Sequence, residues 1–84
     1  MNPIVTELKR RLACLQPVAL EIIDESAQHA GHPGARSGGH FRLLISSALF
    51  AGKPTMARHR LVYDALGDLM RDGVHALSIT AKTP

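Results

Sequence analysis

Ile4, Leu8, Leu12 and Leu15 recur at steps of three and four residues, the spacing of one helical face. Asn2-Pro3 stands just ahead of them. Asn suits a helix N-cap, and Pro suits the first helical position, where its missing N–H costs nothing. Glu7, Lys9 and Arg10 fall largely off the apolar face, and Pro17 stops the helix. From Val18 to Glu25 the rhythm changes to two. Val18, Leu20 and Ile22 share one face while Glu21 and Glu25 take the other, which predicts a strand. Residues 26–39 are rich in Gly, Ser and His and show no period. They read as a loop long enough to suggest a functional role. His40 to Ser47 alternates again, with Phe41, Leu43 and Ile45 on one face.

Phe50-Ala51-Gly52 with Pro54 predicts a turn, and Thr55 a cap for the helix that follows. Between Met56 and Arg71 the apolar set Val62, Leu66, Leu69 and Met70 follows the helical period, and Gly73 occupies the place of a helix-terminating glycine. Val74 to Ala81 predicts a third strand, with His75, Leu77 and Ile79 on one face.

Two strands joined by a loop alone pair most simply antiparallel, whereas a helical crossover normally joins parallel strands. The third strand then starts at the same end of the sheet as the second, where the 26–39 loop also arrives. This topology gathers His29, His32 and His40 on one side of the molecule with His75. Alternating strands and one-faced helices together predict helices packed on one face of a three-stranded sheet.

Composition narrows the function classes. Eighty-four residues predict one compact domain spanning 1–84. The single cysteine, Cys14, rules out an internal disulfide and suits a reducing compartment. Cys14 itself, near the end of the first helix, reads as a small, partly buried filler. No stretch approaches the roughly 20 apolar residues of a membrane span, and the first residues lack the apolar core of a secretory signal. A soluble, cytoplasmic protein with no membrane association is expected. The net charge of +3 permits nucleic-acid binding, but Phe41, Phe50 and Tyr63 are the only aromatics, few for a base-stacking platform. Lys9-Arg10-Arg11 reads as the wet face of a helix. Enzyme chemistry lacks its parts: there is no paired carboxylate site, no nucleophile beside a base, and no phosphate-binding loop.

Three motifs in order carry a family resemblance. Asp24-Glu25-Ser26, a His-containing loop and His40-Phe41 resemble the first half of BolA proteins. Phe50-Ala51-Gly52 and Arg58-His59-Arg60-Leu61-Val62-Tyr63 resemble their central signature, and Val74-His75-Ala76-Leu77 their closing motif. The resemblance spans nearly the whole chain. It implies an α+β fold of αββααβ order, related to type II KH domains, with a three-stranded mixed sheet and an extra short helix near Ser47 to Phe50. It also implies a heterodimer with a monothiol glutaredoxin and a [2Fe-2S] cluster shared with that partner and glutathione. In such complexes the BolA protein brings the closing-motif histidine, here His75, and a second ligand from the loop between the first two strands. His29 stands at the matching place, four residues after Glu25, and His32 is the alternate. Iron–sulfur cluster trafficking or iron sensing follows as the implied function. The isolated chain, short of cysteine ligands, is expected to hold no cluster. Some family members are described as DNA-binding transcription regulators of stress response and cell morphology, which supplies the alternative.

Each of these residues also has a plainer reading. On pattern alone His75 is a histidine packed at the edge of the core, and His29 and His32 are solvated loop residues; the resemblance favours ligands. His59 falls in the middle of the stripe of Val62, Leu66 and Met70, and so reads as a core or rim residue. Arg58 and Arg60 flank it, either as solvated charges or as a patch for a partner or for nucleic acid. His40 reads as structural, bonding a backbone group where the loop closes. Gly31-His32-Pro33-Gly34 matches the GxxG letters of KH nucleic-acid binding but lies between two strands rather than two helices, which counts against a direct DNA role.

Overall fold

The computed structural model describes residues 3–25 and 39–84, with Asp72 and His75 described by backbone alone. Helix α1 covers Pro3–Leu12 and tightens into a single 3-10 turn at Ala13–Leu15. Strands β1 (Ala19–Asp24) and β2 (Gly39–Ser46) follow, then a 3-10 turn at Ala48–Phe50. Helices α2 (Thr55–Leu66) and α3 (Leu69–Asp72) lead into β3 (Val74–Lys82).

The sheet order is β1-β2-β3, antiparallel between β1 and β2 and parallel between β2 and β3. The crossover rule therefore holds, and Gly39 and Val74 sit side by side at the starts of their strands. The core is one cluster. Leu8, Leu12 and Leu15 from the first helical segment, Phe41, Leu43 and Ile45 from β2, and Val62 and Leu66 from α2 meet around Phe50. Arg42, between the buried β2 positions, is exposed, so the helices cover one face of the sheet and leave the other open.

The structure departs from the sequence-based expectations in six places. The apolar run of 56–71 is two helices, because Gly67 leaves helical geometry at φ 55° and ψ −127°, a region open to glycine alone. Gly73, which the pattern made the helix stop, has φ −135° and is not left-handed. Thr55 is the first residue of α2 rather than its cap, and Pro54 occupies the cap position. The αββααβ order is met by α2 and α3, and the turn at Ala48–Phe50, where an extra helix was expected, is 3-10. Cys14 is exposed rather than partly buried, because the 3-10 turn directs Leu15 inward instead. Val18 is exposed as well: its N–H bonds the Ser46 carbonyl at 2.9 Å, but it precedes the strand.

The basic run of α1 does more than face solvent. Arg10 and Arg11 both bind the Glu7 carboxylate, Arg11 through Nε at 2.9 Å. These two guanidiniums hold the Glu7 carboxyl down at about 2, the bond from Arg10 contributing most. Arg11 also donates from Nη1 to the Leu66 carbonyl at 2.8 Å and to Asp68 Oδ1 at 2.5 Å. It thereby satisfies a carbonyl that the end of α2 would leave open, and it ties α1 to the corner at Gly67.

Candidate metal-ligand end of the sheet

Glu25 and Gly39, which flank the 26–38 segment, and the start of β3 lie at one end of the sheet. Asp24, the last residue of β1, pairs with Phe41, and the Glu25 N–H donates to the His40 carbonyl at 2.8 Å. Gly39 pairs with Val74 and donates its N–H to the Gly73 carbonyl at 3.2 Å. The Glu25 carboxylate meets Arg42 at 3.2 Å, so it is neutralised where the chain leaves β1. The bond that His40 makes with Glu25 here is through its main-chain carbonyl and not, as the sequence reading had it, through its ring.

His75 stands at this end, one residue into β3. Its place in the ladder is irregular. Gly39 pairs with Val74 and His40 with Ala76, so the register shifts by one residue at His75. His29 and its alternate His32 lie outside the described residues, so the structure locates the two attachment points of their segment and not the residues themselves. Among the described residues no three His, Cys, Asp or Glu side chains converge as a metal site.

Cys14 is remote from this end. It belongs to the 3-10 turn of residues 13–15, where Leu15 accepts a hydrogen bond from Ser47 just beyond the far end of β2. The eight residues of β2 separate the two ends by about 23 Å, at roughly 3.3 Å per step. The donor chemistry available here is therefore imidazole without a thiol. Neutral imidazole is an accepted ligand for one iron of a two-iron cluster, as in Rieske centres, and the remaining ligands must come from elsewhere. Of the predicted ligands, His75 is the one whose main-chain place is described, at the start of β3.

The two predicted patch arginines have different surroundings. Arg58 donates from Nε to the Lys53 carbonyl at 2.8 Å and from Nη1 to the Ala81 carbonyl at 3.1 Å, so its guanidinium joins the start of α2 to the end of β3. Arg60 is exposed beside Met56, half-buried His59 and Tyr63, around a shallow surface concavity. His59 thus occupies the rim and not the middle of the core, whose α2 contribution is Val62 and Leu66. Sequence reasoning missed the bond of Arg11 to Leu66 and both bonds of Arg58, because those partners are main-chain carbonyls, which leave no trace in residue identity.

The fold, an α+β arrangement with a mixed three-stranded sheet closed by a two-helix crossover, defines the class. Residues 12–84 match the family model described as BolA-like protein. The chain belongs to the BolA-like family. It is 51% identical over 76 residues to SufE-like protein 1, chloroplastic/mitochondrial, of Arabidopsis thaliana, covering 83% of this chain and 20% of that protein. It is 38% identical over 71 residues to the DNA-binding transcriptional regulator BolA of Escherichia coli, covering 84% of this chain and 66% of that one. The solved BolA domain of SufE1 from Arabidopsis thaliana superposes with a TM-score of 0.86 at 47% identity, covering all of this chain and 95% of that one. The chain therefore spans between a fifth and about two thirds of the length of these two relatives. No helix among the described residues is long and apolar enough to cross a membrane.

Proposed function

We propose that this chain is a non-enzymatic, cytoplasmic adaptor that binds a monothiol glutaredoxin and shares a [2Fe-2S] cluster with it, in cluster trafficking or iron sensing. His75 contributes one imidazole, and His29, or in its place His32, the second. The glutaredoxin cysteine and glutathione complete the set. One observation carries the reading: the parallel pairing of β2 with β3 sets His75 at the sheet end where both attachment points of the histidine-bearing segment lie. When bound, the cluster supplies an iron whose potential is raised by imidazole in place of thiolate. Two imidazoles leave a cluster half-ligated, so the isolated chain retains none.

Anaerobic pull-down with a monothiol glutaredoxin and glutathione tests this. A coloured heterocomplex whose visible and circular-dichroism spectrum is lost or strongly altered in His75→Ala is the expected result. A colourless complex, or a wild-type spectrum from His75→Ala, overturns it.

A second reading, a small DNA-binding regulator, draws on the printed name of the Escherichia coli relative. Against it, Arg10, Arg11, Arg42 and Arg58 already bind carboxylates or main-chain carbonyls, which reduces the basic surface left for phosphates. A sequence-selective, salt-dependent DNA site of submicromolar affinity would favour this reading over the adaptor.

A further inference from the structure

α2 turns one stripe of side chains away from the core. Val62 and Leu66 are its buried residues, and on the opposite side run Met56, Ala57, Arg60, Leu61 and Asp64. With Lys53, just ahead of the helix, these residues line a shallow concavity. Met56 is 81% exposed, and Lys53, Arg60 and Asp64 are exposed as well. The charges at the two ends of the stripe stand against the local rule. A helix dipole favours acidic groups near its start and basic groups near its end, yet Lys53 precedes the first turn of α2 and Asp64 lies in its last. Among the described residues neither side chain has an ion-pair partner, and Arg60 has none either. Charges that weaken their own helix without a compensating contact point to a use outside it.

The stripe consists of two rows with a spacing of four residues, Lys53-Ala57-Leu61 and Met56-Arg60-Asp64. Laid antiparallel on a copy of itself, each row meets the other. Lys53 then faces the partner's Asp64, Met56 the partner's Leu61, and Ala57 the stem of the partner's Arg60. All three pairs straddle the same point along the helix, between Arg58 and His59. One two-fold axis therefore makes all of them, and each occurs twice. Opposite charges meet, apolar meets apolar, and the longest side chain meets the smallest. We propose that this face of α2 is a self-complementary surface on which a second copy of the chain docks as an antiparallel, two-fold dimer. α2 has only 12 residues, so the contact lies at the small end of specific interfaces. The dimer is accordingly weak, with a dissociation constant of about 100 μM, and it loosens as salt screens the paired charges. The surface uses none of the proposed ligand residues.

Sedimentation velocity of the full chain, from about 10 μM to about 1 mM at low salt, tests this. Lys53→Asp and Asp64→Lys each set like charges against one another at both ends of the contact. Each alone is expected to weaken self-association about tenfold or more. Neither should unfold the chain, because an acid ahead of α2 and a base in its last turn suit the dipole. Mixed in equal amounts, one variant brings carboxylates to both ends and the other ammonium groups. A heterodimer about as tight as the wild-type dimer is then expected. Met56→Glu, at an exposed position, should also weaken the dimer while the melting temperature stays unchanged. A wild-type chain that remains monomeric to about 1 mM refutes the proposal. So do single variants that associate like wild type, or a mixture that associates no better than its parts. Loss of glutaredoxin binding from Met56→Glu, with the wild type monomeric throughout, would give this face to that partner instead.

Discussion

Where β2 ends, Ser47 Oγ donates to the Leu15 carbonyl at 2.6 Å and accepts from the Leu49 N–H at 3.1 Å. Its own N–H bonds the Lys82 carbonyl at 3.0 Å, and Arg58 takes the neighbouring Ala81 carbonyl. Ser47 and Phe50 are both fully buried there. Where β2 begins, the ladder loses its register, the Glu25–Arg42 pair stands partly in solvent, and the chain leads into and out of the 26–38 segment. The same strand thus has one end where side chains close off main-chain groups and one end where pairing is interrupted. The closed end holds three strands and two helical segments in place by local bonds. The interrupted end carries His75 and the two residues that flank the 26–38 segment, beside the buried Val74.

The largest effect expected from breaking this contrast is at Phe50. Phe50→Ala should cost about 4 kcal/mol, because the ring fills the centre of the core and its removal leaves a cavity. Urea denaturation measures it, and a loss below about 1 kcal/mol would show that the closed end is not where stability resides. Next comes Ser47→Ala, which strands the Leu15 carbonyl and the Leu49 N–H. A loss of about 2 kcal/mol is expected, with an unchanged cluster spectrum in whatever complex forms. A changed spectrum with normal stability would mean that the two ends are coupled.

Acid provides a smaller and graded test. The Glu7 carboxyl lies at about 2 in the folded protein, below its ordinary value of 4.5. A depressed folded value contributes stability above the unfolded one, and that contribution is lost as pH falls from about 4.5 toward 2. Glu7→Gln should therefore flatten the acid limb of a melting-temperature profile over that window and leave it unchanged near neutrality in shape. An acid limb as steep as wild type would show that other carboxylates govern it. The smallest expected change in stability is for His75→Ala, about 0.5 kcal/mol or less, as for a residue that serves ligation rather than packing. A loss comparable with Ser47→Ala would place His75 in the structural framework after all.

Hydrophobic rhythm by itself determined the order of elements, the three strands and the inward face of β2. Burial is repetitive along a strand or helix, so it is written into the sequence at periods of two and 3.6. The same rhythm, with the crossover rule, determined that β3 starts beside β2, and so which end could gather histidines. The break at Gly67 was not legible in this way, since Leu66, Leu69 and Met70 continue a helical period across it. What ends α2 is a glycine conformation supported from α1, where Arg11 takes the Leu66 carbonyl. Arg58 is the same case, a cation in the sequence and a main-chain bond in the fold. The register shift at His75 was decided only by tertiary structure. Alternation assigns faces by counting, whereas the count shifts where Val74 joins the core and Leu77, three residues on, packs against the same core. Such contacts link residues far apart in the chain, and no local pattern records them.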